Sequence, residues 1–394
     1  MAGPLEGYRV LDLTAFITGP LAGMILADQG ADVIKIEPPG IGDVMRYVGT
    51  GRGGVSALFA GCNRSKRSVV LNLREPRGRE LLERLVQDAD VLMQNFRPGV
   101  VERRGIDAKR MRALNPNLIY VSINAFGEKG PYAQRPAFDH IIQAMSGIAF
   151  VQADPESAEP AFVRQALCDK MTAYTAAQAI TAALLARERG KGGQHLRVSM
   201  LDAAISFMWP DGMSNHTVLE DDVVRQPPLS LAYTMNATRD GHFAAAAITD
   251  AQAHGLFRAL DREDLFDDPR FATVTSRFAH LRELLEEFQS AAENLSTNEV
   301  LERLSDEDVP CGPVLTPEEL PEHPQVLANG TLVEMQDPQM GRVRQPRPAA
   351  RFETTPAEIR CAAPALGAHT AEVLESIGLS LAEISDLRAK GIVG

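Results

Sequence analysis

The sequence predicts an α/β protein with a largely parallel sheet, joined to a smaller α+β domain. Over the first 125 residues, short apolar runs alternate with helical patterns, as βαβ units do. Around 210–232 the chain turns polar, with Glu220-Asp221-Asp222 and Pro227-Pro228, and a pattern of short strands and helices follows. The composition, 45% hydrophobic and 23% charged over 394 residues, supports a sizeable core and excludes a mainly disordered chain.

Each element has its own signal. Residues 8–14 read as a buried strand and 20–31 as a helix opened by Pro20, with Gly30 near its end. A strand over 32–37 is stopped by Pro38 and Pro39, and 66–73 is the next. Residues 76–89 form an amphipathic helix, with Leu81, Leu82, Leu85 and Val86 at helical spacing. A strand at 90–96, a short helix at 107–115 and a strand at 117–127 follow. The Gly/Pro-rich stretch 127–139 is a loop, 140–150 one helix, and 152–169 a long irregular connection. The Ala-rich run 171–190 is expected to be a helix buried all round, leading to a strand at 191–200 and a helix at 201–209. The small domain is placed at 225–325, with linkers at 210–225 and 325–330. Residues 330–394, with helices near 370–390, rejoin 1–210 in the large domain. Ser296 with Glu299 and Ser380 with Glu383 fit capping boxes.

Charge and cysteines narrow the functional classes. The net charge of −12 argues against nucleic-acid binding. Residues 64–112 nevertheless hold 13 Lys/Arg against 7 Asp/Glu, a local +6 that suits either an anion site or solvated helix faces. No apolar run is long enough for a membrane helix, and no secretory leader is expected from the opening residues. Cys62, Cys168, Cys311 and Cys361 are scattered, so neither zinc nor a disulfide framework is expected, and a reducing, cytoplasmic compartment fits. The turn before Glu37 carries only Gly19 and Gly23, so it lacks the three-glycine dinucleotide fingerprint. There is no G-x-S-x-G, Walker loop or HExxH. Metal catalysis is disfavoured, and carboxylate chemistry remains.

The blocks LEGYRVLDLTAFITGPLAGMILADQGADVIKIEPPGIGD, NRSKRSVVLNL, ADVLMQNFRPGVVERRG, NPNLIYVSINAFGEKGPYAQRPAFD, GKGGQHLRVSMLDAAI and VPCGPV resemble the family III CoA-transferases, the CaiB/BaiF family, over nearly the whole chain. The resemblance implies a Rossmann-like large domain, a small α+β domain and an interlocked, ring-like homodimer. It implies acyl-CoA and a small carboxylic acid as substrates, with no tightly bound cofactor and no metal. It makes Asp169 the covalent nucleophile. An Asp at a helix start is stabilised as an anion by the dipole and free N–H groups, although a plain N-cap is the alternative. It places Leu71, Arg74, Asn95, Phe96, Arg97 and Arg103 around CoA, whose phosphates call for cationic donors. Core packing is the alternative for Leu71 and Phe96.

Several positions depart from relatives within the family. Ile17 stands where formyl-CoA transferases carry Gln, Pro38 where they carry Arg, and 233–248 lacks their glycine-rich loop. Racemases of the family have His in the triplet that here reads Ala137-Phe138-Asp139. Phe cannot transfer a proton, so Phe138 is expected in the wall of an acyl pocket or in the core, beside Ile17 as a pocket residue. A racemase with another base, such as His140, and a non-catalytic CoA-binding protein are the alternatives.

Overall fold

A computed structural model describes residues 3–154, 157–225 and 227–394; two residues of the expected 152–169 connection and one of the expected small domain lie outside these. The chain runs through β1 (Arg9–Asp12), α1 (Thr18–Asp28), β2 (Asp32–Glu37), the short hairpin β3 (Gly51–Arg52) and β4 (Val55–Ser56), and α2 (Ala57–Asn63). It continues through β5 (Arg67–Val70), α3 (Pro76–Gln87), β6 (Val91–Gln94), α4 (Val100–Arg104), α5 (Ala108–Leu114) and β7 (Ile119–Asn124). Next come α6 (Asp139–Ser146), α7 (Ile148–Val151), α8 (Leu167–Ala186), β8 (His195–Ser199) and α9 (Met200–Gly212). Then follow β9 (Asn236–Ala237), β10 (His242–Ala245), α10 (Asp250–Ala259), α11 (Val274–Ala279), α12 (Leu281–Ala292), α13 (Thr297–Asp306) and β11 (Cys311–Pro313). The last elements are α14 (Pro324–Ala328), the hairpin β12 (Leu332–Asp337) and β13 (Gly341–Pro346), α15 (Thr370–Ser376) and α16 (Leu381–Ala389). Among the described residues no helix is long and apolar enough to cross a membrane.

These elements divide into two compact units. Unit 1 comprises Met1–Gln152, Pro160–Phe207 and Ala328–Gly394; unit 2 comprises Ala153–Glu159 and Met208–Leu327.

Unit 1 is built on a six-stranded sheet in the order β5-β2-β1-β6-β7-β8. Every pairing is parallel. Counted along the chain, that is 3-2-1-4-5-6, the doubly wound order whose switch point lies between the first and fourth strands. Its strands are buried on both faces, which explains their nearly continuous apolar runs. One face packs Leu81, Leu82, Leu85 and Val86 of α3 against Leu11, Ile34, Val69 and Leu92. The other packs the alanines of α8 and Leu26 of α1 against Val10, Val33, Val91 and Val121.

Unit 2 carries a three-stranded sheet, β11-β10-β9, packed against helices around Phe243, Leu256, Phe257, Phe288 and Leu304.

Several details differ from the sequence expectations. The helix expected over 140–150 is broken at Gly147, whose φ of +91° ends α6 and starts α7. The Ala-rich α8 is buried on one face only. Its other face exposes Tyr174, Gln178, Thr181 and Leu185 at helical spacing. Ser380 and Glu383 make the full capping box. Ser296 makes only half of one, because the Glu299 carboxylate takes Arg303 instead, at 2.8 Å.

Beneath the switch point lies a buried ionic network. Lys66 Nζ donates to Asp12 (2.8 Å), Pro20 O (2.7 Å) and Asn63 (2.9 Å). Lys35 Nζ lies 3.0 Å from the Asp43 carboxylate and donates to Thr14 O at 2.9 Å. Arg46 grips both oxygens of Glu37, which also accepts from Ser68 Oγ and Asp43 N. Glu37 therefore has no oxygen left for a ribose. Gly23 packs where a Cβ would sit 2.9 Å from Asp12 and 3.2 Å from Lys66, so this glycine serves the network rather than a phosphate. Burial alone would raise the Asp12 pKa, but Lys66 and Lys35 hold it below the usual range.

Removing one partner of such a network strands a charge in the interior. Lys66→Met is expected to lower the unfolding free energy by about 3–5 kcal/mol, measured by urea denaturation. A loss below about 1 kcal/mol would mean that the cluster is not dry.

Candidate functional site

The segment after β1 is held residue by residue. Thr14 N donates to Asp12 at 2.9 Å, and Thr14 O receives Lys35. Ala15 is clamped by the Asn95 side chain, which accepts from its N–H (3.0 Å) and donates to its carbonyl (2.8 Å). Asn95 follows β6, so this clamp bridges the two strands at the switch point. Phe16 has φ of +68°, a left-handed conformation that costs a non-glycine residue roughly 1–2 kcal/mol. Its N–H reaches Asp43 at 3.4 Å. The strained turn starts α1 at Thr18, whose hydroxyl donates to Asp169 Oδ1.

Asp169 sits in the first turn of α8, which begins at Leu167. It is not the N-cap; Ala166 is. Its own N–H donates to Asp139 Oδ2 at 2.9 Å. The N–H groups of Leu167 and Lys170 are taken by Gln165 O and Ala166 O. The amides of Leu167, Asp169 and Lys170 are thus spent on the backbone and on Asp139, and the side-chain donor to this carboxylate is Thr18. Asp139 is buried at the start of α6, where its Oδ1 accepts from Gln143 at 2.6 Å. Gln143 also pins the approach to α8 through Val163 and Gln165.

The electrostatics follow. Desolvation pushes the Asp169 pKa from its ordinary 3.8 up to about 6; Thr18 pulls it down and the Asp139 charge raises it. Asp169 is thus an anion at neutral pH, but a more basic one than an exposed carboxylate. It is only partly buried, so a ligand can reach it. The adjacent Cys168 is fully buried, and burial followed by Asp139 and Asp169 pushes its pKa up to about 12. It stays a thiol and is no rival nucleophile.

Phe138 is 60% exposed and meets the Phe16 ring edge-on, with centroids 5.6 Å apart. Core packing is excluded for it. Ile17 is partly buried against Met45, Val55, Phe59 and Ala60, so much of its side chain serves a small apolar cluster. The His140 ring lies against Phe162, with centroids 6.2 Å apart.

The basic block resolves into two populations. Arg64, Lys66, Arg67, Arg77 and Arg110 are spent on carboxylates. Among the described residues, no ion pair involves Arg74, Arg79, Arg97, Arg103 or Arg104. Burial lowers the Arg104 pKa, and the neighbouring charges of Arg74, Arg103 and Arg79 lower it further. Four cations crowd together without a counter-ion, which is the electrostatic form of an anion site. Arg104 also lies over the Phe96 ring, 5.2 Å from its centroid. Phe96 and Arg97 line a cavity of about 820 Å³ that Leu71, Arg74, Asn95 and Arg103 do not line.

Two of the residues expected at CoA change role. The Leu71 side chain is 1% exposed within the core, and its backbone bridges Val393, so the side chain offers no surface to a ligand. The amide of Asn95 is consumed by Ala15, which makes it a clamp on the site rather than a free contact. Thr18, Asp139 and Arg104 were not expected at the site. Arg104 lay next to Arg103 in the same basic block, Asp139 stood in the Ala137-Phe138-Asp139 triplet without a role of its own, and Thr18 carried no motif.

The sequence profile of CoA-transferase family III matches residues 5–370. The chain is 32% identical over 397 residues to the succinyl-CoA–D-citramalate CoA-transferase of Chloroflexus aurantiacus, covering 99% of this chain and 98% of that one. It is 34% identical over 385 residues to the succinate–glutarate CoA-transferase of Agrobacterium fabrum, covering 95% and 96%. A CAIB/BAIF family protein from Brucella suis superposes with a TM-score of 0.82 at 32% identity, covering 96% of this chain and 100% of the other. Rv3272 from Mycobacterium tuberculosis gives 0.83 at 31%, covering 94% and 99%.

The Asp169 titration checks this site without an activity assay. Carbon-13 NMR of its carboxyl should give a pKa of about 6. Thr18→Val should raise it and Asp139→Asn should lower it, because each removes one of the opposing causes. Since the folded state holds this proton to higher pH than the unfolded chain does, the group's contribution to stability falls as pH rises from 3.8 through about 6. An Asp169 pKa near 4 would contradict the described burial.

Proposed function

This chain belongs to CoA-transferase family III, and from that membership we propose that it moves CoA from an acyl-CoA to a free carboxylic acid through covalent intermediates on Asp169. One observation carries the reading: a partly accessible carboxylate, raised to about 6 and held by one hydroxyl, lies in the same unit as a cluster of unpaired arginines.

The chemistry balances without water, metal or redox change. An Asp169 oxygen attacks the thioester carbonyl; the C–S bond breaks and CoA leaves as its thiolate. The mixed anhydride so formed is attacked by that thiolate at the aspartyl carbonyl, which releases the donor acid and leaves an aspartyl–CoA thioester. The acceptor carboxylate then attacks this thioester to form a second anhydride and free the thiolate again. Attack of the thiolate on the acceptor's acyl carbon yields the new acyl-CoA and restores the Asp169 carboxylate. A more basic carboxylate is the better nucleophile, and with its pKa near 6 it is still ionised at pH 7. The Thr18 hydroxyl fixes one Asp169 oxygen, and we read the other as the attacking atom. Phe138, exposed beside Phe16, forms an apolar wall and supplies no base, which favours transfer over racemisation.

CoA is read as lying over Phe96, with its phosphates on Arg74, Arg79, Arg103 and Arg104. The acids named for the relatives, succinate, glutarate and D-citramalate, give the class from which acceptors are first drawn. We read unit 1 as the CoA-binding domain of an interlocked homodimer. Supporting this, unit 1 exposes Phe150, Phe162, Tyr174, Leu185 and Phe207, more large apolar surface than a monomer usually leaves bare. Four unpaired cysteines suit a reducing, cytoplasmic compartment.

Asp169→Ala should abolish CoA transfer while CoA affinity stays within a few fold, measured by turnover and calorimetry. Substantial transfer by this variant would sink the assignment. Arg104→Ala and Arg103→Ala should each weaken CoA binding by roughly 10- to 150-fold, the equivalent of about 1.5–3 kcal/mol for a charge-assisted contact. The losses should shrink for 3′-dephospho-CoA if the 3′-phosphate is the partner. Unchanged affinity for both ligands would move the phosphates elsewhere.

A further inference from the structure

The run Phe243-Ala244-Ala245-Ala246-Ala247-Ile248, where the glycine-rich loop of relatives was sought, has no part in the chemistry above. In unit 2 it lines a cavity of about 770 Å³, within the usual range of small-molecule sites. The floor is the unit's own core, Phe243, Leu256, Leu284 and Phe288. All four alanines border the space, Ala245 and Ala247 from the core side and Ala244 and Ala246 from exposed positions, and none has a side chain long enough to fill it. Tyr233, Met235 and Ile248, also in the lining, are 72%, 68% and 65% exposed.

The charges of the lining decide what the cavity can hold. Its one charged side chain is Arg277, and that guanidinium is already spent: it donates to Asp250 at 2.5 Å and to Phe271 O at 3.0 Å. Tyr233, Thr234, Asn236 and Cys311 are the uncharged polar members. A dicarboxylate entering here would bury its second charge without a partner, which is strongly unfavourable. A hydrocarbon tail loses nothing and gains apolar burial.

We propose that unit 2 binds the hydrocarbon part of a monocarboxylic acid, an alkyl chain or aromatic ring, in the cavity behind the 244–247 alanine run. As a statement about substrate class this rests on the transferase reading; as a statement about binding it does not.

The test uses the full-length protein and nonanoate as probe, with glutarate as the charged control. Calorimetry should show nonanoate binding with a negative heat-capacity change, the mark of apolar burial, and no binding of glutarate in this cavity. Ala246→Trp, which fills the space from an exposed position, should weaken nonanoate binding at least ten-fold. Met235→Arg, which adds a cation to the lining, should bring glutarate in. In turnover, Ala246→Trp should lower kcat/KM for nonanoate at least ten-fold more than for acetate. Nonanoate binding unaffected by Ala246→Trp, or glutarate binding as well as nonanoate to the unaltered protein, overturns the proposal. So does sedimentation showing that Ala246→Trp separates subunits, because the cavity would then be an interface. If no acid is a substrate but nonanoate binds and is lost on Ala246→Trp, the transferase reading fails and the site stands. Transfer to glutarate without nonanoate binding gives the reverse.

Discussion

The buried ions beneath the switch point are the constraint on which the rest depends. Three cations, Lys35, Arg46 and Lys66, meet three carboxylates, Asp12, Glu37 and Asp43, all nearly inaccessible to water. Such a cluster is costly to desolvate and adds little stability of its own. What it provides is position. Lys35 holds Thr14 O, Asp43 takes Phe16 N, and Lys66 holds Pro20 O in the first turn of α1. With the Asn95 clamp, these bonds over-determine a segment that contains a left-handed phenylalanine, which would otherwise relax.

The site inherits this rigidity. Because the turn at 14–17 is fixed, Thr18 is presented to Asp169 rather than to solvent. Because Asp139 is fixed by Gln143, α8 is anchored at its first turn and the second carboxylate stands close enough to raise the first. The helix dipole favours the Asp169 anion, yet burial and the neighbouring charge outweigh it. Burial raises the Asp169 carboxyl most, the Asp139 charge adds to it, and the Thr18 hydroxyl opposes both.

The layers of the fold were legible in the sequence because they rest on short-range pattern. The apolar strand runs and the Leu81–Val86 stripe are consequences of burial on one or two faces, and burial leaves a periodic trace. The proposal of Asp169 as nucleophile rests on the resemblance, since position in a helix start alone does not distinguish a nucleophile from a cap. Other side chains make contacts that the sequence does not show: Asn95 clamps Ala15, Leu71 packs in the core, and Ile17 packs partly against a small apolar cluster. Such choices depend on which neighbour the tertiary fold supplies. The basic block likewise could not be divided into paired and unpaired arginines without the carboxylates that Asp28, Asp32 and Glu83 bring from other elements. Thr18 acts through one contact distant in sequence, and the triplet that contains Asp139 gives no sign of its bond to Asp169 N.

The central claim is that Asp169 itself becomes acylated. The most direct test is to incubate the protein with an acyl-CoA that it turns over, quench with hydroxylamine, and locate the adduct by peptide mass spectrometry. The account predicts a hydroxamate on Asp169 alone, formed only when acyl-CoA is present. A modified Cys168, a modified Asp139, or turnover without any adduct on the 167–186 helix would contradict it.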